Sequence, residues 1–270
     1  MNTLYQQLAG ETLNDALARL EAGIKARPAD ADLRAAFVQF LTLSGNWTRA
    51  LTQLKSWLVL KPQAKPTVTL LEQAIQGELQ RAQVMAGQAR PAMPESQWPW
   101  LTTLAAALNE EGERAQALRL EALEQAQATA GHIILENEET QAFDWLMDGD
   151  ARLGPVCETI VNGRYFWLPF NAIAEIRFQA PASVTDLVWR HALVRLTDGT
   201  EQVCQIPARY PFAADASDAI KLGRTTEWQP LDEDGTLYEG MGQKAWLSEQ
   251  SESPLLSLSL VSFAMDGADE

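Results

Sequence analysis

At 270 residues, with 46% hydrophobic and 21% charged side chains, the chain has material for one large or two ordinary folded domains. Its 36 acidic residues against 21 basic ones leave a formal charge of −15, which argues against nucleic acid or an anionic membrane surface as partner, because both are bound through basic patches. No apolar run is long enough to span a bilayer, and Met1-Asn2-Thr3-Leu4-Tyr5-Gln6-Gln7 lacks the basic and apolar regions of a secretory leader, so a cytoplasmic protein is expected.

The first half reads as helices. Leu13, Leu17, Leu20 and Ile24 recur at helical spacing between Thr12 and Ala26. Asp30 or Asp32 can cap a second helix carrying Leu33, Phe37, Phe40 and Leu41, which should stop near Ser44-Gly45-Asn46. A third places Trp47, Leu51, Leu54 and Leu58 on one face and ends before Pro62; a fourth follows Pro66 with Val68, Leu71, Ile75 and Leu79. Pro91, Pro94 and Pro99 break the chain, and Trp100, Leu104 and Leu108 open a helical pair that turns at Gly112.

These helices keep a period. Ala16-Leu17 recurs at Ala50-Leu51 and Pro28 at Pro62, both after 34 residues; Ala117-Leu118 follows 67 residues beyond the second copy. Leu41-x3-Gly45-x4-Ala50-Leu51 and Leu108-x3-Gly112-x4-Ala117-Leu118 share one frame. A 34-residue period of paired helices is the tetratricopeptide signature: no pair buries its apolar stripe alone, so neighbours stack and leave a groove. The middle copy is degenerate, and a plain helical bundle is the competing reading.

After Gly131 the pattern changes. Asn162-Gly163 between Thr159–Val161 and Arg164–Trp167 signals a hairpin with a type I′ turn, and Asp198-Gly199 signals a second between 187–196 and 202–206. Further short strands are expected at 173–178, 225–228, 237–238, 245–247 and 255–263. The expected class is α+β by segregation: a tetratricopeptide-like helical repeat domain at 1–135, then an antiparallel β-rich, open-barrel-like domain at 136–270, with the boundary inside the acidic stretch 131–150.

Chemistry is sparse. The two histidines, His132 and His191, show no metal-ligand spacing, and no nucleophile elbow or phosphate-binding lysine loop is present. Neither a metal nor a cofactor is expected. Asp144, Asp148 and Asp150 read as a solvated acidic turn, since the calcium-loop pattern is not matched. Gly240-Met241-Gly242 reads as a strand bend. Cys157 and Cys204 read as reduced thiols in strand cores. A metal-dependent or hydrolytic enzyme would need carboxylates and His132 or His191 in one cleft.

The β-rich half carries further distinctive runs: Phe143-Asp144-Trp145-Leu146, Asp150-Ala151-Arg152-Leu153-Gly154-Pro155-Val156 and Asn162-Gly163-Arg164-Tyr165-Phe166-Trp167-Leu168-Pro169-Phe170. Asp186-Leu187-Val188-Trp189, Pro207-Ala208-Arg209-Tyr210-Pro211, Leu222-Gly223-Arg224-Thr225-Thr226-Glu227-Trp228 and Gly240-Met241-Gly242-Gln243 follow. In order and spacing they resemble the ImpE/SciE family, also called TagJ, of bacterial type VI secretion accessory proteins; Ala151 stands where Ser is expected. The resemblance spans essentially the whole chain. It implies a non-enzymatic cytoplasmic protein associated with the contractile sheath through its small subunit, TssB, and linked to the ClpV ATPase. The residues add a mode: a partner helix laid into an apolar groove. Trp167, Trp189, Tyr210 and Trp228, with Arg152, Arg209 and Arg224, are the candidate partner-binding residues, because Trp, Tyr and Arg dominate interface hot spots. A Trp in a strand is equally core material, and an Arg after a turn can pin loop carbonyls. A scaffold or chaperone for another assembly, steered by its acidic face over 101–150, is the alternative.

Overall fold

The computed structural model describes residues 10–264; the stretch Met1–Gln7, read as lacking leader features, lies outside them. Helices come first: α1 (Leu13–Ala26), α2 (Ala31–Leu43), α3 (Trp47–Leu60), α4 (Lys65–Met85), α5 (Trp100–Ala106) and α6 (Gly112–Gln125). Their ends follow local chemistry. The Thr12 hydroxyl accepts from the Asp15 amide at 3.1 Å, and an Asp30 carboxylate oxygen accepts from the amides of Asp32 and Leu33 at 3.1 and 3.0 Å, so each satisfies orphan donors of a first turn. At the end of α2, Gly45 takes φ +73°. The Asn46 amide then donates to Leu41 O at 2.9 Å and the Gly45 amide to Thr42 O at 3.1 Å, the paired bonds of a Schellman stop.

The two dated copies of the repeat behave alike: Ala16 and Ala50 are both fully buried. The third does not. Ala117 is exposed, and α6 turns Ala115 and Ala122 inward instead. On α4 the expected stripe also shifts. Val68, Leu71 and Ile75 are buried, but Leu79 is 36% exposed, and Gly77, Glu78, Arg81 and Val84 continue the inner face.

The strands follow in one run: β1 (Gly131–Leu135), β2 (Thr140–Phe143), β3 (Met147–Asp148), β4 (Val156–Val161), β5 (Arg164–Pro169), β6 (Ile173–Phe178), β7 (Trp189–Leu196) and β8 (Glu201–Pro207). After a single helical turn, α7 (Asp218–Lys221), come β9 (Thr226–Pro230), β10 (Tyr238–Gly242), β11 (Ala245–Leu247), β12 (Glu252–Pro254) and β13 (Leu258–Phe263). The class is α+β. An eight-stranded antiparallel sheet runs β2-β1-β13-β6-β7-β8-β4-β5, beside a three-stranded sheet β12-β11-β3 and a β9–β10 ribbon. Sequence reading left out β1, β2, β3 and β12, and the start of the last expected strand, Leu255–Ser257, is a 3-10 turn.

The β4–β5 hairpin turns as its sequence demands, with Asn162 at φ +50° and Gly163 at +82°. The second hairpin differs. Of Asp198 and Gly199, only Gly199 has positive φ, at +85°; its amide donates to Leu196 O at 3.0 Å and the Leu196 amide to Thr200 O at 2.8 Å. This is a type I turn closed by a left-handed glycine, whose one extra residue removes the need for positive φ at Asp198.

Helices and sheet share one apolar cluster, from Leu20, Phe37 and Leu54 through Ile75 to Trp167, Trp189 and Val261. Gly77 lets α4 lie close against the sheet: a Cβ there would sit 2.5 Å from the Ile160 side chain of β4. Beyond the sheet, Trp246 of β11 packs edge-on to Phe170 at 5.0 Å between ring centres. No helix among the described residues is long and apolar enough to cross a membrane.

Candidate functional site

The seven candidate side chains are placed very differently. Trp167, Trp189, Arg209 and Tyr210 are at most 2% exposed and do not face solvent. Trp189 Nε1 donates to Glu78 of α4 at 3.0 Å, and its ring lies 5.7 Å from Trp47 of α3. Arg209 reaches the end of α2, donating to Thr42 O and Leu43 O at 2.6 Å each, so a cation occupies the carbonyl end of that helix. Burial lowers its guanidinium to about 9. Tyr210 donates to Asp148 at 2.9 Å, and Trp167 Nε1 donates to the Tyr165 hydroxyl at 2.8 Å. Arg152 is largely enclosed by ion pairs to Asp150 at 2.5 Å and Glu239 at 2.7 Å. Trp228 is half-buried, 5.7 Å from the Tyr210 ring. Arg224 is exposed.

The four buried residues meet around charges that sequence reading missed. Glu158 of β4 accepts from Arg81 Nε at 2.7 Å and Nη2 at 2.9 Å, lies 2.7 Å from Lys244 Nζ, and also accepts from the Tyr165 hydroxyl. Lys244 continues to Asp148 at 2.5 Å. The solvated-turn reading of the acidic residues is therefore corrected. Asp144 is exposed, but Asp148 and Asp150 are 1% and 0% exposed, held by Lys244 and Arg152 from distant parts of the sequence or across a tight turn. Burial alone would push Glu158 up, but Arg81 and Lys244 outweigh it and hold it far below the usual carboxylate range. At Asp148 burial wins over Lys244, and the carboxyl is raised to about 6. This chain of charges joins α4 to β4 and to the small sheet. Its members are enclosed and mutually paired, which suits a rigid frame.

Other reactive groups are also enclosed. Cys157 and Cys204 are buried free thiols, both pushed up by burial, Cys204 to about 12, where a thiol is inert. His191 is lowered by burial and lies 3.6 Å from Asp186. Among the described residues no group of three His, Cys, Asp or Glu side chains is disposed to hold a metal.

The open feature is a groove of about 780 Å³ between β5 and the strap that joins α4 to α5. Its prolines, Pro91, Pro94 and Pro99, keep the strap out of helix. Ala92 lies parallel to β5: its amide donates to Tyr165 O at 3.3 Å, and the Trp167 amide donates to Ala92 O at 2.9 Å. Met93, Trp98, Phe166 and Leu168 form half-buried apolar walls, and Arg90, Glu95, Arg164 and Asp198 stand exposed around them. The volume is that of a ligand-sized cleft. The one sequence signal for it was the proline cluster, read only as a break between helices.

The chain is 38% identical to the type VI secretion system accessory component TagJ of Pseudomonas aeruginosa, over 93% of its own length and 87% of the relative's. The chain belongs to the ImpE/TagJ family. The profile of the ImpE protein family matches residues 140–262, from the start of β2 to within β13. A crystal structure of protein VPA1032 from Vibrio parahaemolyticus has the same fold, with a TM-score of 0.84 at 28% identity and 96% of each chain covered. Within the ImpE/TagJ match lie all seven candidate residues and the charged frame residues Asp148, Glu158 and Lys244, whereas Arg81 and the strap precede the family profile.

Proposed function

We propose that this protein is a non-enzymatic, cytoplasmic accessory component of a bacterial type VI secretion system. It acts as an adaptor that binds a helical segment of a TssB-like sheath component and connects it to the ClpV ATPase. The observation that carries this reading is the full-length kinship with TagJ, 38% identity over 93% of the chain. Two features support it. The buried charges Arg81, Asp148, Glu158 and Lys244 are spent on one another, and an open groove with Met93, Trp98, Phe166 and Leu168 on its walls has the form that takes an amphipathic helix. In this reading residues 1–135 are the tetratricopeptide-like docking half and 136–270 the open-barrel-like ImpE half. Arg224 and Trp228 contact the partner, Arg152 orders the neighbouring turn, and Trp167, Trp189, Arg209 and Tyr210 act by fixing the frame.

Calorimetric titration with the small sheath subunit tests the reading: saturable binding supports it, and no heat at tens of micromolar, a weak-affinity regime, refutes it. One observation favours the scaffold alternative. Leu120 and Leu123 of α6 are 40% and 37% exposed beside Glu121 and Glu124. A scaffold using that face loses its partner when Glu121 and Glu124 are made neutral; the sheath adaptor does not.

A further inference from the structure

We infer that β2, the free edge of the eight-stranded sheet, takes an extended basic segment of another protein as an added strand. The inference does not depend on the adaptor reading and concerns a surface apart from the groove.

The sheet has two edges, β5 and β2, and they are finished differently. At β5, Gly163 O accepts from Gln80 Nε2 at 2.9 Å, the Tyr165 amide donates to Gln80 Oε1 at 3.2 Å, and Ala92 takes Tyr165 O and the Trp167 amide. That edge is capped by its own chain. At β2 the Leu135 amide donates to Glu139 O at 2.9 Å. The register then makes Ile133–Gln141 and Gly131–Phe143 the hydrogen-bonded pairs. The alternation of an antiparallel ladder turns the amides and carbonyls of Thr140 and Ala142 away from β1. Among the described residues nothing bonds to these outward groups. Devices that blunt an edge are missing from the strand. Thr140-Gln141-Ala142-Phe143 has no proline, no charge and no bulge against β1, and Thr140 and Ala142 are exposed. The open stretch ends at Asp144, whose amide donates to the Glu249 carboxylate at 3.1 Å.

Charge selects the occupant. Glu138 and Glu139 stand at one end of the open stretch, Asp144 and Glu249 at the other; all are exposed, and none forms an ion pair among the described residues. Glu136, in the same hairpin, does have a cation near it, Arg190 at 3.9 Å. No Lys or Arg occurs between Arg119 and Arg152 or after Lys244, so β1, β2, their loop, β12 and β13 bring no cation to this edge. His132, opposite Ala142, is the other titratable side chain of β1 and β2. A second copy is disfavoured as occupant, because two such edges side by side would set carboxylates against carboxylates. Glu139 and Asp144 are five residues apart, about 17 Å along a strand. The complement is an extended segment with Lys or Arg at both ends of a similar span and uncharged side chains between. Backbone bonds supply its affinity and the terminal cations its selection.

The test uses the full-length protein and two labelled peptides with the same Thr and Val centre, one with Lys at both ends and the other with Glu. Fluorescence anisotropy should find the Lys peptide bound at least about tenfold more tightly. Methylating alternate amide nitrogens of that peptide should remove most of the binding, because the ladder is then blocked. Ala142→Pro should weaken binding at least about tenfold and leave the thermal midpoint in place, since the amide it removes serves no bond inside the protein and Gln141 before it is already extended. Glu139→Lys together with Asp144→Lys should erase the preference for the Lys peptide. Equal affinities for the unsubstituted protein, tighter binding of the Glu peptide, no binding of either, or full affinity of the methylated peptide overturns the inference. Full affinity of the Ala142→Pro protein does the same. So does a dimer of the free protein that dissociates on Ala142→Pro, because the edge then pairs with itself. If Ala142→Pro fails to fold, hydrogen exchange of the unsubstituted protein decides: slowed exchange at the Thr140 and Ala142 amides with the Lys peptide supports the inference, and unchanged exchange overturns it.

Discussion

Arg81 and Glu158 are 77 residues apart in sequence and 2.7 Å apart in space, with side chains 3% and 0% exposed. This ion pair fastens the longest helix to the main sheet. It is not isolated: Lys244 approaches Glu158 from the far side at 2.7 Å, and the second Arg81 amino group also donates to Arg209 O at 3.1 Å. A buried ion pair contributes little net stability compared with an apolar substitute, but breaking one is costly because an unmatched charge stays enclosed.

Glu158→Gln therefore should destabilise the protein by about 3–5 kcal/mol. It leaves Arg81 and Lys244 facing one fewer anion. Urea unfolding reads this as a lower midpoint at unchanged slope. A cost under about 1 kcal/mol, the range of an exposed pair, would mean that water enters the frame.

Stability should be flat at neutral pH and rise as pH falls from about 6 toward 4.5. Asp148 has a folded value raised to about 6 against 3.8 for the free group. The folded state binds that proton more tightly, so its contribution is complete below 3.8 and lost as pH rises through 6. Glu158 has the opposite sign: held below its free value of 4.5, it stabilises above 4.5 and loses that contribution as the medium becomes more acid. Thermal midpoints should pass through a maximum between the two free values, 3.8 and 4.5. Asp148→Asn should flatten the neutral-side limb and leave the acid-side limb in place.

Gly77→Ala should cost about 1–3 kcal/mol by overpacking, since its Cβ would meet Ile160 at 2.5 Å. On an exposed helix the same change would stabilise. Ile160→Ala in the same chain should recover part of the loss, and the double-mutant cycle should show the coupling that touching residues give.

Arg209→Gln should loosen the end of α2 selectively. Leu43 O loses its Arg209 donor and Thr42 O keeps only the Gly45 amide, a loss of about 1–3 kcal/mol where a buried group is left unpaired. Hydrogen exchange should quicken at the Schellman amides of Gly45 and Asn46 more than in α6.

What the sequence made legible was local. Thr12 and Asp30 cap helices, Gly45 stops one, and Asn162-Gly163 turns a hairpin, because each is decided by residues within a few positions. The α+β order followed from the same periodicities. The frame was not legible, since its partners are remote: Asp148 and Lys244 are 96 residues apart. Without that knowledge Asp148 and Asp150 resembled a wet acidic turn. The same blindness covers the aromatic candidates. Trp167 and Trp189 stand out in the sequence, but their indoles answer to Tyr165 and Glu78 inside the protein. Only the fold distinguishes a tryptophan that locks a frame from one that meets a partner.

The adaptor account is tested most directly by titrating the full-length protein with its purified small sheath subunit in a calorimeter. It predicts saturable binding with a negative heat-capacity change, the mark of apolar surface buried on association, and no turnover of either protein. Absence of binding at tens of micromolar, a concentration at which even weak complexes form, would contradict it.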